Sequence, residues 1–367
     1  MLELLSQQEI PNYWAMEGSY HRALSIRHYT LPMQIVFVAF LFAQTVTSTN
    51  LEVPAGFDAA TSIPIATVKG ARPGPTVAFV AGSHGTEYAS VVALTRLVPL
   101  IDPKALSGTV IVAPLLNIAS FEQMTVHTNP VDGKGMNREY PGSATGTQTQ
   151  RVLAMVTERV VKPADVIIDL HGGDLDEDLV PYSYWFRTGD AAQDEASRKL
   201  AMAFGLHRII VTDIDVSNPA SIRSLSGYSL SLGKTALVAE AGHTGTVEPE
   251  DVRALVEGSL NVLAALGMID RKVEPLEHPL WLAGGSRVRA EKAGMWSPAV
   301  RGGAYVTEGM RLGTLSDYLG RNPQEIRSPA PGIVTFIRGV PSAWKDATLA
   351  NVSPVLTGPA PYRKPVR

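Results

Sequence analysis

Val77–Ser90 reads VAFVAGSHGTEYAS. A continuous apolar run stops at Gly82, and a histidine and a glutamate follow three residues apart. An apolar run of this length closed by glycine is the pattern of a strand buried on both faces of a sheet. EYASVVALTRLVPLI, from Glu87, then carries apolar residues at helical spacing and ends before Pro103. Imidazole and carboxylate are costly to bury, so a buried strand ending on His84 and Glu87 needs a reason. Either the pair caps a helix and faces water, or it holds a cation.

The same strand-then-helix step recurs downstream. GTVIVAPLLN from Gly108, ADVIIDLHGG from Ala164, RIIVTDI from Arg208 and KTALVAEAG from Lys234 read as buried strands. TQTQRVLAMVTERVV, DEASRKLAMAFGL and DVRALVEGSLNVLAALGMI read as helices between or after them. Alternating strands and helices predict an α/β fold with a mostly parallel mixed sheet flanked by helices. Ligands in such sheets sit beyond the carboxyl ends of the strands. His84, His171 and Glu240 all fall at or just past such ends, which places them on one sheet edge.

His-x-x-Glu alone is weak evidence, because a surface turn often carries both residues. A third donor strengthens it. His171 ends an apolar strand and is followed by two glycines that permit a sharp turn; by itself it could equally be a packed, backbone-satisfied histidine. Two imidazoles and one carboxylate are a ligand set that suits zinc and leaves a fourth position for water. Asp169 shares a strand face with His171 and could orient it, or cap a turn. Glu240 follows a strand that rejects charge and stands where a general base is needed, with a helix-capping role as the bland alternative. In the loop NPVDGKGMNREYPG, Arg138 offers a planar fork for a carboxylate and Asn137 an added donor.

Taken in order, GSHGTE, MNREYPG, IDLHGGD and EAG resemble the succinylglutamate desuccinylase/aspartoacylase family of the zinc-carboxypeptidase-like superfamily. The resemblance runs from about Ile63 to Asp270. It implies an α/β zinc hydrolase that cleaves amide bonds, with one Zn2+ held by His84, Glu87 and His171. Glu240 would then move the proton from water to the leaving amine, and Asn137 and Arg138 would grip a substrate carboxylate. Where many relatives have an arginine before the Asn-Arg pair, this chain offers His127, whose imidazolium could stand in. The acidic turn GGDLDED is expected to be solvated, and His243 to be an ordinary loop residue.

Three regions follow from these patterns: residues 1–50 as an extension, 51–272 as the catalytic domain, and 273–367 as a β-rich domain. The last has short strands punctuated by Gly and Pro, which predicts a small all-β, barrel-like fold. It resembles the family's carboxy-terminal domain. SPAPGIVTFI has a lipoyl-like flavour but no lysine between methionines, so a structural or pocket-shaping role is expected.

Composition limits the alternatives. With 367 residues, 45% of them hydrophobic, the chain can bury one large core or two unequal ones. A net charge of -3 offers no basic face for nucleic acid, and the absence of cysteine removes disulfides and thiolate metal sites. The apolar run from Met33 to Ala43, with arginines upstream, suits an export signal cleaved after Ala43 or Ser48, although IVFVAFLF also reads as a buried strand. On the export reading, residues before Met33 would follow from a misplaced start, and the mature protein would have no stable membrane span. No G-x-S-x-G elbow occurs, which sets a serine hydrolase aside. The lead reading is hydrolysis of a small N-acyl amino acid; a metallocarboxypeptidase and an inactive ligand-binding relative are the alternatives.

Overall fold

The computed structural model describes residues 45–359 and 362–365. The apolar run Met33–Ala43 considered as an export signal lies outside these residues. Among them, no helix is long and apolar enough to cross a membrane.

The larger sheet is built from β1 (Thr45–Val53), β2 (Thr61–Lys69), β3 (Arg72–Val80), β4 (Ser107–Ala113), β5 (Val166–His171), β7 (Tyr182–Arg187), β8 (Arg208–Asp213), β9 (Thr235–Glu240) and β10 (Leu280–Ala283); β6 (Glu177–Leu179) lies outside it. Its order is β1-β2-β4-β3-β5-β9-β7-β8-β10. The central strands β4, β3, β5 and β9 run parallel, while β1, β2 and the β7–β9 pair introduce antiparallel contacts. The architecture is therefore the mixed, mostly parallel α/β sheet that the apolar runs predict. Thr45–Asn50, assigned to the extension from sequence, forms the start of β1 and pairs with β2. The strand YSYWFR of β7 was not anticipated.

Alternation along the strands sorts the side chains onto two cores. On β3, Val77 and Phe79 join one cluster, while Ala78 and Val80 join the other. The first core is covered by α1 (Tyr88–Leu97), α4 (Ala191–Phe204) and α6 (Pro249–Ala265), through residues such as Leu94, Phe204 and Leu255. α6 starts with Pro249 in its first turn beside Glu250 and Asp251, which suits the exposed N–H groups there. The second core is covered by α3 (Gln148–Val156) and α5 (Leu225–Ser231), with α2 (Ile118–Gln123) after β4. On β5, Val166, Ile168 and Leu170 face the first core and Ile167 the second. Asp169 and His171 share the parity of Ile167. Glu240 likewise shares the parity of Ala236 and Val238 on β9. All three side chains thus leave the sheet on the α3/α5 side.

Two glycines shape the edge where these side chains emerge. Gly82 turns β3 with a φ of 66°, and a Cβ there would press on Leu115 and Pro114. Gly173 has no room for a side chain, since a Cβ would stand 2.4 Å from Glu177 O and 2.7 Å from Gly242 O.

The β-rich region comprises β11 (Ser286–Arg289), β12 (Gly294–Pro298), β13 (Tyr305–Val306), β14 (Arg311–Ser316), β15 (Gln324–Arg327), β16 (Gly332–Arg338), β17 (Ser342–Ala343) and β18 (Thr348–Ser353). One antiparallel sheet has the order β11-β18-β16-β13 and the other β15-β14-β12-β17. They enclose their own core around Trp296, Leu312, Leu315 and Leu349. β6, in the turn after His171, pairs antiparallel with β16, setting Leu179 opposite Phe336 and Glu177 opposite Arg338. That pairing brings the β-rich wall to the same edge.

Candidate active site

β5 and β9 are neighbouring parallel strands, and their register puts His171 beside Glu240. The turn after β3 supplies His84 and Glu87. The Glu87 carboxylate is shared: Oε1 is 2.6 Å from His84 Nδ1, and Oε2 is 2.8 Å from His171 Nδ1. The Gly172 backbone N–H also donates to Oε2, at 3.2 Å. One donor atom from each of His84, Glu87 and His171 lies within 4.8 Å of the other two.

The surroundings orient these groups. Asp169, fully buried, places Oδ1 3.2 Å from His171 Nε2. That carboxylate favours a proton on Nε2, which would make Nδ1, here 2.8 Å from Glu87 Oε2, the nitrogen that coordinates a cation in place of its own proton. Asn137 comes from the 3-10 turn Met136–Arg138. Its Oδ1 accepts from Leu225 N at 2.8 Å, which turns its Nδ2 toward Asp169 Oδ2 at 3.4 Å and His171 Nε2 at 3.1 Å. Asn137 is only 9% exposed, and both ends of its amide are engaged inside the protein. It is therefore held beside Asp169 and His171 while also lining the cavity. Arg138 also faces the cavity, with Nη1 donating to Asn137 O at 2.6 Å.

His127 adopts a left-handed backbone with a φ of 61°. Its Nδ1 lies 3.1 Å from Asp174 Oδ2 and its Nε2 3.2 Å from Asp176 Oδ1. Burial opposes its charge, but hydrogen bonds to Asp174 and Asp176 overcome this and raise its pKa to about 11. The ring is thus an imidazolium, as the sequence allowed, and its centroid is 6.0 Å from that of His84. Both of its N–H groups are already committed to carboxylates.

The acidic turn is buried, contrary to the solvated turn expected. Asp174 is 0% and Asp176 5% exposed. Thr86 Oγ1 donates to Asp174, and Arg338 Nη1 pairs with Asp176 Oδ2 at 2.5 Å. The Glu177 carboxyl is pushed up to about 7, by burial first and by the Glu87 charge, against the pull of His127. Glu240 is raised well above the ordinary range by burial; Glu87, Glu177 and Asp169 add to this, and His171 opposes it. His243 lies apart, with Nδ1 2.9 Å from Asp178 and Nε2 3.4 Å from Asp251.

His84, Glu87, His127, Arg138, His171 and Glu240 line a cavity of about 590 Å³ that also takes in Tyr182, Tyr184, Arg287, Phe336, Arg338 and Trp344. A divalent cation fits between His84, Glu87 and His171. The donors are nitrogen, oxygen and nitrogen at short range, and the buried acids Glu87 and Asp169 exceed the fixed positive charge beside them. Burial opposes a charge on His171, but the Asp169, Glu87 and Glu240 carboxylates outweigh it and hold the ring well above the usual imidazole range. A largely buried His-Glu-His cluster beside a carboxylate, on the C-terminal edge of an α/β sheet, is a ligand set that could hold a divalent cation.

Residues 73–266 match the model of the succinylglutamate desuccinylase/aspartoacylase catalytic domain, and the chain belongs to that family. It is 28% identical over 307 residues to the N-alpha-acetyl-L-2,4-diaminobutyric acid deacetylase of Halomonas elongata, covering 81% of this chain and 87% of that protein. Among solved structures it resembles a succinylglutamate desuccinylase/aspartoacylase from Rhodobacter sphaeroides, with a TM-score of 0.76, 25% identity, and coverage of 85% of this chain and 96% of that one. A product-bound ectoine utilization protein from Ruegeria pomeroyi shares the fold at a TM-score of 0.78 and 24% identity, covering 86% of this chain and 98% of that one.

Proposed function

We propose that this protein is a zinc-dependent deacylase that hydrolyses the amide bond of an N-acyl amino acid. The observation that carries the reading is the convergence of His84, Glu87 and His171 donor atoms beside Glu240 on one sheet edge. Membership of the family and the likeness to a deacetylase of an N-acetylated diamino acid support it. The retained Glu240 also disfavours an inactive binding relative, which needs no base there.

Zinc held by the three ligands would supply Lewis acidity toward water and the amide carbonyl. Glu240 takes a proton from the attacking water and returns it to the leaving amine. Its raised pKa falls once a divalent charge stands nearby, so that the carboxylate form is present at neutral pH. Asp169, braced by Asn137, holds His171 in its coordinating tautomer. Arg138 receives the substrate carboxylate through its open N–H groups. The His127 imidazolium has no free N–H, so it acts on charge developing at the carbonyl oxygen through its field alone.

A panel of N-acyl amino acids and short peptides, assayed with and without chelator, tests this. Amino-acid release from an N-acetylated substrate, abolished by chelator and restored by zinc, is expected. Cleavage of peptides alone would make the protein a carboxypeptidase, and no hydrolysis of any substrate would refute the reading. If the segment at 33–48 directs export, cleavage after Ala43 leaves β1 whole, whereas cleavage after Ser48 removes its first four residues. Amino-terminal sequencing of the mature protein would decide.

A further inference from the structure

The cavity carries charges of both signs. Glu87, Glu177, Glu240 and Asp346 line it together with Arg138, Arg287, Arg289 and Arg338. Two of these arginines are occupied. Arg338 pairs with Asp176, and Arg289 Nη1 donates to Asp346 O at 2.8 Å. Arg138 gives one N–H to Asn137 O and meets no carboxylate among the described residues. The side chain of Arg287, on β11, makes no hydrogen bond or ion pair among the described residues, yet it lines the same cavity. The two guanidinium groups feel each other: burial first, and then the Arg287 charge, lower the pKa of Arg138. The Arg287 charge also reaches Tyr184 on the cavity wall. Two guanidinium groups that line one cavity, neither paired with a carboxylate among the described residues, repel each other, and an anion placed between them relieves this while gaining charge-assisted hydrogen bonds from both.

We propose that Arg138 and Arg287 form a two-arginine clamp for the α-carboxylate of the leaving amino acid, with Arg287 the specificity-determining residue supplied by the β-rich region. This rests on the deacylase reading and sharpens it. The scissile amide lies beside His84, Glu87, His171 and Glu240 and the carboxylate faces Arg138 and Arg287, so the preferred substrate carries a free carboxylate. The corresponding carboxamide or ester, or a residue inside a peptide, has no charge to offer and is disfavoured.

The test compares an N-acetyl amino acid with its carboxamide, measuring binding by calorimetry to zinc-loaded Glu240→Gln protein with and without Arg287→Ala. Loss of one partly solvated charged contact should weaken carboxylate binding about tenfold and leave carboxamide binding unchanged. Arg287→Lys should recover part of the loss. In the active enzyme, Arg287→Ala should raise KM by a similar factor with kcat nearly unaltered. Equal effects of Arg287→Ala on both ligands, no effect on either, or no binding of the carboxylate by the Arg287 protein would each overturn the clamp. Failure of the active enzyme to hydrolyse any N-acyl amino acid would instead overturn the deacylase reading, because the binding comparison does not depend on turnover.

Discussion

Replacing Asp169 with asparagine tests how the metal cluster is organised. The two side chains are nearly equal in size, so the substitution changes charge and hydrogen bonding more than packing. In the native protein Asp169 Oδ1 stands 3.2 Å from His171 Nε2 and favours a proton there, leaving Nδ1 to coordinate. An asparagine at 169 can turn its NH2 toward Nε2, where the Asn137 Nδ2 already stands at 3.1 Å. Nε2 would then meet donors on two sides, and the proton would shift to Nδ1, the nitrogen needed for the metal. Loss of such an outer partner typically costs about 10–100-fold in metal affinity. That is about 1.4–2.8 kcal/mol. The assay is a competition titration of zinc against a chromophoric chelator, with thermal melting of the metal-free proteins to confirm folding. Zinc affinity within about twofold of native, in a folded variant, would refute the reasoning, since the estimated loss is at least tenfold.

Other outcomes follow from the same geometry. Glu240→Gln should keep its zinc by elemental analysis and lose about 10²–10⁴-fold in kcat, the usual contribution of a positioned acid–base group; unimpaired turnover would remove Glu240 from that role. His171→Ala should lower bound zinc measurably, and unchanged stoichiometry would show that another residue completes the site. His127→Gln should be less stable than native in a pH-dependent way. The folded-state pKa of about 11 lies above the ordinary value of 6.5, so the imidazolium contribution is whole below about pH 6.5 and fades as pH climbs toward 11. Urea unfolding at pH 6 and pH 9.5 should therefore show the larger native-to-variant gap at pH 6; an equal gap at both would dismiss the ion-pair account.

Much of the catalytic edge was legible because its signals are local. Gly82 and Gly172 punctuate apolar runs, and the residues beside them, His84 and His171, must emerge where strands end. Glu240 was conspicuous as a charge closing an apolar strand. Partnership at a distance was not legible. The acidic turn reads as solvated until His127, 47 residues before Asp174, and Arg338, 162 residues after Asp176, are seen to neutralise it. Nor does the loop around Asn137 foretell that Leu225 N donates to its oxygen. Arg287 carries no local mark at all, being one basic residue on an exposed strand. β7 was missed because YSYWFR mixes polar and aromatic residues, unlike the aliphatic runs that reveal its neighbours.

The β6–β16 ladder has a practical consequence for anyone recombining members of this family. Residues 177–179 belong by sequence to the hydrolase core and by hydrogen bonding to the β-rich sheet. A chimaera spliced near residue 273 would import a foreign strand to face this acidic stretch and would lose the Arg338 cation that neutralises Asp176. Grafts that carry 174–179 together with the downstream module should transplant intact, whereas grafts cut between them should arrive with a misfolded pocket mouth.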